Sequence, residues 1–308
     1  MFSVIIPLYN KAPYIEKALR SVFAQTYTDY ELIVVDDGSK DDSKAVAEQV
    51  LACCPVPFQL ISQANAGVSM ARNNGVAASQ GDYICFLDSD DYLEPQFCEL
   101  MLQHVIDGNH DFVMCLNDRV DADGNFLTTH KWPSSDLVFN DSPVDQFLGS
   151  DWFNGCYTWG KLYKRALFDH VRFVEGMYYE DNNVTIKILK NCSSIKIVAL
   201  TLLHYRLWKN SITGDYDLKK LDLFKSYHIC AQELKGTPWY KYYYQLSLRL
   251  WSVNWYACRN HPAPGRKALR SALRKVLAPW SKVFVYRAFT PIERVKIFLR
   301  YIYTIVYR

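Results

Sequence analysis

Along the first ninety residues, short apolar runs that end in polar or acidic loops alternate with segments whose apolar residues recur every three or four positions. Phe2 to Leu8 opens into Tyr9-Asn10, Glu31 to Val35 into Asp36-Asp37-Gly38-Ser39, and Tyr83 to Leu87 into Asp88-Ser89-Asp90-Asp91. Each run reads as a buried strand. Between the first two, Ile15, Leu19, Val22 and Phe23 share a helical face behind Pro13, so the spacing predicts a helix between Pro13 and Tyr27. Further helices are predicted over about 42–52 and 68–78, with a strand at Phe58 to Ile61 between them. This alternation specifies an α/β fold, a mostly parallel sheet flanked by helices, with ligands beyond the carboxyl ends of its strands. Pro7 to Asn10, Asp36 to Ser39 and Asp88 to Asp91 are therefore expected to converge on one crevice.

Asp88 and Asp90, at i and i+2, can both lean toward one hard cation, and Mg²⁺ or Mn²⁺ is commonly held by one or two carboxylates plus substrate phosphates. The same residues also read as an acidic turn ahead of a helix starting at Glu94-Pro95. A second acidic group, Glu180-Asp181-Asn182 after Tyr178-Tyr179, precedes Val184, Ile186, Ile188 and Leu189 and reads as the start of a helix. The helix dipole favours ionised acids there, which would leave a base available near neutral pH, and equally suits a plain N-cap. Residues 116–159 are less regular, with a hairpin turn by composition at Asp121-Ala122-Asp123-Gly124-Asn125.

In VIIPLYN (4–10), VVDDGS (34–39), NAGVSMARNNG (65–75), GDYICFLDSDD (81–91) and EGMYYEDN (175–182), the chain resembles the family 2 glycosyltransferases of the GT-A fold. The likeness covers roughly residues 1–212 and implies a Rossmann-like catalytic domain with a nucleotide-sugar half over 1–115 and an acceptor half over 116–212. Residues 213–308 would then be a helical C-terminal extension. The resemblance implies inverting transfer of a sugar from a nucleotide diphosphate donor, a UDP-sugar foremost, to a hydroxyl of a glycan or lipid-linked acceptor, with Mn²⁺ or Mg²⁺ as cofactor. It places Asp37 at the base, Pro7 and Tyr9 as an apolar wall, and Asn10, Asn65, Arg72, Asp88, Arg206 and Ser211 along the rest of the nucleotide. Asp90 would be the principal metal ligand, joined by Asp88 and by His204, which reads equally as a structural histidine. Asp181 would be the catalytic base, with Glu180 as its neighbour. Trp132, Trp152, Phe153, Tyr157, Trp159 and Lys161 are candidates for the acceptor pocket, although in a chain that is 15% aromatic such residues also serve as core.

A chain of 308 residues, 50% hydrophobic, can bury one large core with an appendage. Its nine cysteines form neither a CxxC pair nor a zinc spacing, which suits reduced thiols in the cytoplasm. No run of 18 apolar residues is present to span a bilayer. The absence of GxGxxG and of GxxxxGK[ST] counts against a nicotinamide dehydrogenase and a P-loop phosphotransferase. A sugar-phosphate nucleotidyltransferase would need a Gly-rich loop where Pro7-Leu8-Tyr9-Asn10 stands. An inactive glycan-binding scaffold is the other alternative. Residues 264–308 carry eleven Lys and Arg against the single acid Glu293, leaving 24 basic and 31 acidic residues before them. On a helix, Ile292, Val295, Leu299, Ile302 and Val306 oppose Lys296, Arg300 and Arg308. That pattern suits peripheral contact with the inner face of an anionic membrane, or an apolar stripe docked on the core with its basic side solvated. No nucleic-acid motif accompanies the charge. The aromatic stretch from about 218 to 261 is expected to pack helix on helix or to form a contact between protomers.

Overall fold

The structure is a computed structural model and describes residues 1–129, 133–150, 156–208, 222–240 and 243. The chain divides into two compact units, Met1–Asp215 and Tyr216–Arg308. The expectations attached to Trp132, Trp152, Phe153, Ser211 and the basic segment 264–308 lie outside the described residues.

The first unit is built from β1 (Phe2–Leu8), α1 (Ile15–Phe23), β2 (Tyr30–Asp36), α2 (Ser43–Leu51), β3 (Phe58–Ser62), α3 (Val68–Ala78) and β4 (Tyr83–Phe86), close to the alternation read from the sequence. It continues through β5 (Tyr92–Leu93), α4 (Phe97–Asp107), β6 (Phe112–Val120), β7 (Phe126–Thr129), β8 (Leu137–Asn140), α5 (Pro143–Gly149), β9 (Lys161–Lys164), α6 (Glu180–Lys190) and β10 (Ser194–Arg206). Every residue of β1 and β2 is buried, as expected of parallel strands covered on both faces. Ten strands form one sheet in the order β3-β2-β1-β4-β9-β6-β10-β5, with β7 paired to β6 and β8 to β10.

The α/β architecture expected from the alternation holds, but the sheet is mixed rather than mostly parallel. β3, β2, β1 and β4 pair in parallel, as do β6 and β10. β9 enters antiparallel between β4 and β6 and welds the two blocks. Register shifts in β10 between Ile197 and Leu203 re-aim the end of that strand, His204 to Arg206, against β5 and the last part of β6. The stretch 116–159 is more regular than its composition indicates, holding the end of β6 together with β7, β8 and α5. β7 is exposed along its whole length, so it lacks the alternation that marks a half-buried strand. The turn at 121–125 forms as read: Asp121 Oδ1 accepts the N–H groups of Asp123 and Asn125 at 2.9 and 2.8 Å.

In the second unit, α7 (Asp222–Glu233) buries Ser226, Cys230 and Ala231, and Tyr227 meets the buried Tyr243 edge-on at 5.7 Å. Among the described residues no helix is long and apolar enough to cross a membrane.

The start of β1 is anchored by a buried carboxylate. Glu31 Oε1 accepts Ser3 Oγ–H at 2.5 Å and the N–H groups of Gln80 and Gly81 at 2.6 and 3.2 Å. A Cβ on Gly81 would lie 2.6 Å from the backbone of Phe2, which cannot move without disturbing β1. Gly81→Ala is expected to lower the unfolding free energy by about 1–3 kcal/mol, read from the urea midpoint at constant m-value.

Candidate active site

The carboxyl ends of β1, β2 and β4 meet as the strand pattern requires. The ladders run on past the strands, with Asp37 N–H donating to Leu8 O at 2.9 Å and Leu87 N–H to Ile5 O at 3.0 Å. Pro7 is buried near the end of β1, where pairing with β4 has already stopped at Ile5, so its missing N–H costs no bond on that side. Asn10 is left-handed at φ 51°, a conformation Asn tolerates; its Oδ1 accepts Lys40 N–H at 2.8 Å and its own N–H donates to Ser39 Oγ at 3.2 Å. Tyr9, beside it, is exposed.

Asp37 organises the loop between β3 and α3. Its Oδ1 accepts Gln63 Nε2–H and Ala66 N–H, and its Oδ2 accepts Gly67 N–H, each at 2.8 Å. Gly38 has φ +68°, and a Cβ there would meet Asn65 N at 2.9 Å, so only glycine lets the two loops touch. Asn65 itself is exposed.

Arg72, from the first half of α3, is buried and reaches two carboxylates from distant parts of the chain. One Nη donates to Asp88 Oδ1 at 2.7 Å and the other to Glu180 Oε1. Phe173 covers the guanidinium at 5.5 Å. The two acidic groups recognised in the sequence are thus joined by one cation.

Asp90 is held by residues the sequence did not single out. Its Oδ2 accepts Lys11 Nζ and also Trp208 Nε1–H, the latter at 2.9 Å. Asp91 is buried; its Oδ1 accepts Arg206 N–H at 2.8 Å, and its Oδ2 has no hydrogen-bond partner. Burial, with repulsion from Asp90 and Asp88, pushes the Asp91 carboxyl well above the usual range. Arg206 donates its Nε–H to Asp90 O at 2.8 Å and an Nη–H to Ala122 O, so it ties the end of β10 to both the acidic loop and the 121–125 turn. Asp91 Oδ2 is orphaned, and no hydrogen bond reaches Asp88 Oδ2 or Asp90 Oδ1 among the described residues, which leaves carboxylate oxygens of the kind a hard divalent cation takes. Among those residues no three His, Cys, Asp or Glu side chains are placed to hold a metal ion, so a cation on one or two of these carboxylates would need substrate oxygens for the rest of its shell.

Glu180 and Asp181 occupy the first turn of α6, entered through Tyr179 in the left-handed region at φ 61°. Backbone strain of this kind is held by surrounding packing and clusters at functional sites. The dipole alone would hold Asp181 low. Instead burial, followed by repulsion from Glu180, raises it to about 7 against the opposing pull of Arg72 and Lys161. Lys161 at the start of β9 is fully buried, donates to Tyr157 O, and is lowered by that burial to about 8.

Two expectations meet other surroundings. His204 Nε2 hydrogen-bonds with Glu94 Oε1 at 2.6 Å, and its ring stacks on Tyr92 at 4.4 Å. Trp159 lies between Tyr157 at 3.8 Å and Tyr205 at 5.1 Å, both nearly parallel, so its faces are covered by neighbouring rings. Lys11 and Trp208 were missed because each is a single residue in a loop, and no periodicity marks a loop side chain that turns inward.

Residues 3–172 match the profile described as glycosyl transferase family 2. The chain belongs to that family. EpsH of Bacillus subtilis, named as a glycosyltransferase, is 33% identical over 73% of this chain and 65% of its own length. The Escherichia coli chondroitin synthase is 38% identical over 43% of this chain and 20% of its own. The match therefore spans about two thirds of EpsH and a fifth of the synthase. Among solved structures, S. aureus TarS 1-349 in complex with UDP-GlcNAc is similar in fold, with a TM-score of 0.71 at 18% identity, covering 90% of this chain and 80% of TarS 1-349. The same TarS fragment with UDP has a TM-score of 0.63 at 21% identity, covering 77% and 66%.

For this family 2 glycosyltransferase, Arg72 is the cation whose removal leaves two carboxylates facing each other in a poorly solvated place. Arg72→Met is expected to cost about 3–5 kcal/mol of unfolding free energy, measured in urea. Adding Glu180→Gln should recover part of that loss.

Proposed function

We propose that this chain transfers a sugar from a uridine diphosphate donor to a hydroxyl of a glycan or lipid-linked acceptor, inverting the anomeric carbon. The observation that carries the reading is the Arg72 bridge, which brings the acids at the end of β4 and the acids opening α6 into one crevice. The TarS structures with UDP and UDP-GlcNAc support a uridine donor, and the chondroitin synthases among the relatives support a glycan acceptor.

The residues divide the work in a way their chemistry allows. A carboxylate offers about four lone-pair sites, and three hydrogen bonds to Asp37 leave one for the ring N–H of uracil. Tyr9 and Pro7 border the same strand end, with Asn10 and Asn65 on the adjoining loops. Asp88 and Asp90 would hold Mn²⁺ or Mg²⁺, which when bound neutralises charge on the departing diphosphate. Asp181 accepts the acceptor hydroxyl proton while that oxygen attacks the anomeric carbon from the face opposite the diphosphate. The bond from carbon to diphosphate oxygen breaks, the nucleoside diphosphate leaves, and the proton stays on the carboxyl. Glu180, pinned by Arg72, lies beside Asp181, and repulsion from it raises the Asp181 carboxyl and so strengthens the base.

A panel of UDP-, GDP- and ADP-sugars with Mn²⁺ should raise the melting temperature only for uridine donors; at one hundred times Kd the stabilisation is about 2.7 kcal/mol. A panel without any response removes the donor assignment. Asp181→Asn is expected to lower turnover about 10²–10⁴-fold while leaving the donor-induced shift in place. Because the base must be ionised, wild-type turnover should fall about tenfold per pH unit below about 7. Retention of the donor's anomeric configuration in the product, seen by NMR, would exclude the single-base displacement.

A further inference from the structure

Lys11 holds a position that its loop location does not explain. Its backbone N–H is fixed by Ser43 Oγ at 2.6 Å, where α2 begins, and its ammonium is laid on Asp90 Oδ2. The pair is well shielded, with side-chain exposures of 21% for Lys11 and 16% for Asp90. Trp208 completes the arrangement: its indole N–H donates to the same Oδ2 at 2.9 Å, and its ring lies under the ammonium at 4.2 Å. Tyr14 backs that ring at 5.5 Å, and the Arg206 guanidinium covers Tyr14 at 5.0 Å. One carboxylate oxygen therefore already carries a full positive charge and a second donor, at the side chain best suited to a divalent cation.

We propose that Lys11 is a tethered counter-ion on Asp90, displaced when a divalent cation and the donor's diphosphate arrive together, so that it couples the binding of metal and nucleotide. This rests on the metal reading of Asp88 and Asp90 given above. An ammonium and a divalent cation cannot share Asp90 Oδ2, because like charges at contact distance repel strongly in a shielded site. Metal alone must evict Lys11 without offering its charge a new partner. Metal with a diphosphate offers one: lysine is a compact cation on a flexible four-carbon stem, and phosphate oxygens are strong acceptors for it. Trp208 adds to the barrier, since its N–H also loses Asp90 when the carboxylate turns to a metal. A lysine that merely lay beside Asp90 would, when removed, raise metal affinity equally with and without the nucleotide.

The test measures free Mn²⁺ by electron paramagnetic resonance over the full chain, with and without UDP as the probe nucleotide. The wild type should bind Mn²⁺ weakly alone and at least about tenfold more tightly with UDP, within the usual range for coupled sites. Lys11→Met should bind Mn²⁺ alone about tenfold more tightly than the wild type, and its gain from UDP should shrink by a similar factor. Lys11→Gln, which keeps a polar end, serves if the Met variant does not fold. Trp208→Phe should move Mn²⁺ affinity the same way by a few-fold. Wild-type UDP coupling with unchanged Mn²⁺ affinity in both Lys11 variants overturns the counter-ion role and leaves the metal reading standing. Absence of Mn²⁺ binding in every protein, with or without UDP, overturns the metal reading and the counter-ion role with it.

Discussion

A guanidinium with almost no access to water joins Asp88 to Glu180, the latter 108 residues along the chain from Arg72, and that junction ties the end of β4 to the start of α6. Asp88 comes from a strand end in the parallel half of the sheet, Glu180 from a helix beyond the antiparallel β9. Without a cation between them their charges would repel. With it, each side fixes the other, and Phe173 over the guanidinium keeps out the solvent that would weaken both bonds. The bridging geometry also explains why lysine would be a poor substitute: the two bonds leave from separate guanidinium nitrogens, whereas an ammonium has a single nitrogen from which to reach both carboxylates.

The acids around that junction are not equivalent, and burial decides which does what. Glu180 is neutralised directly. Asp91 is crowded by Asp88 and Asp90 and raised by burial, while Asp181, next to a charged neighbour and partly desolvated, is held near neutrality. A helix N-terminus would have kept Asp181 a weak base. Desolvation reverses that order, as it does wherever the charged form loses more water than the local dipoles replace.

Much of this was legible because it depends on spacing. The apolar runs at 2–8, 30–36 and 83–86 and the helices between them are periodic, and the acids at 36–37 and 88–91 fall at strand ends because polar residues terminate buried strands. The identity of the acid pair at 180–181 and its helix were legible for the same reason. What escaped was set by tertiary packing. The exposed β7 has no alternating face to betray it. Asp37 shows nothing in its sequence context of the three N–H groups it will accept. Lys11 reads as one more solvated loop lysine, and Trp208 as a residue beyond the end of a strand. His204 pairs with Tyr92 in the register of β10 on β5, which brings its ring to Glu94, and only pairing reveals that partner.

β10 carries the ring stack and the acid-binding arginine on adjacent residues. Side chains alternate along a strand, so Tyr205 closes the stack with Trp159 and Tyr157 while Arg206 grips the backbone of Asp90 and the amide end of its own strand rests on Asp91. A one-residue insertion near this strand end would exchange the two, sending a phenol to the acids and a guanidinium into the aromatic layer. Redesign of this region must therefore keep the phase of β10 intact and draw its variation from side chains elsewhere, because the two compartments are geared to a single backbone.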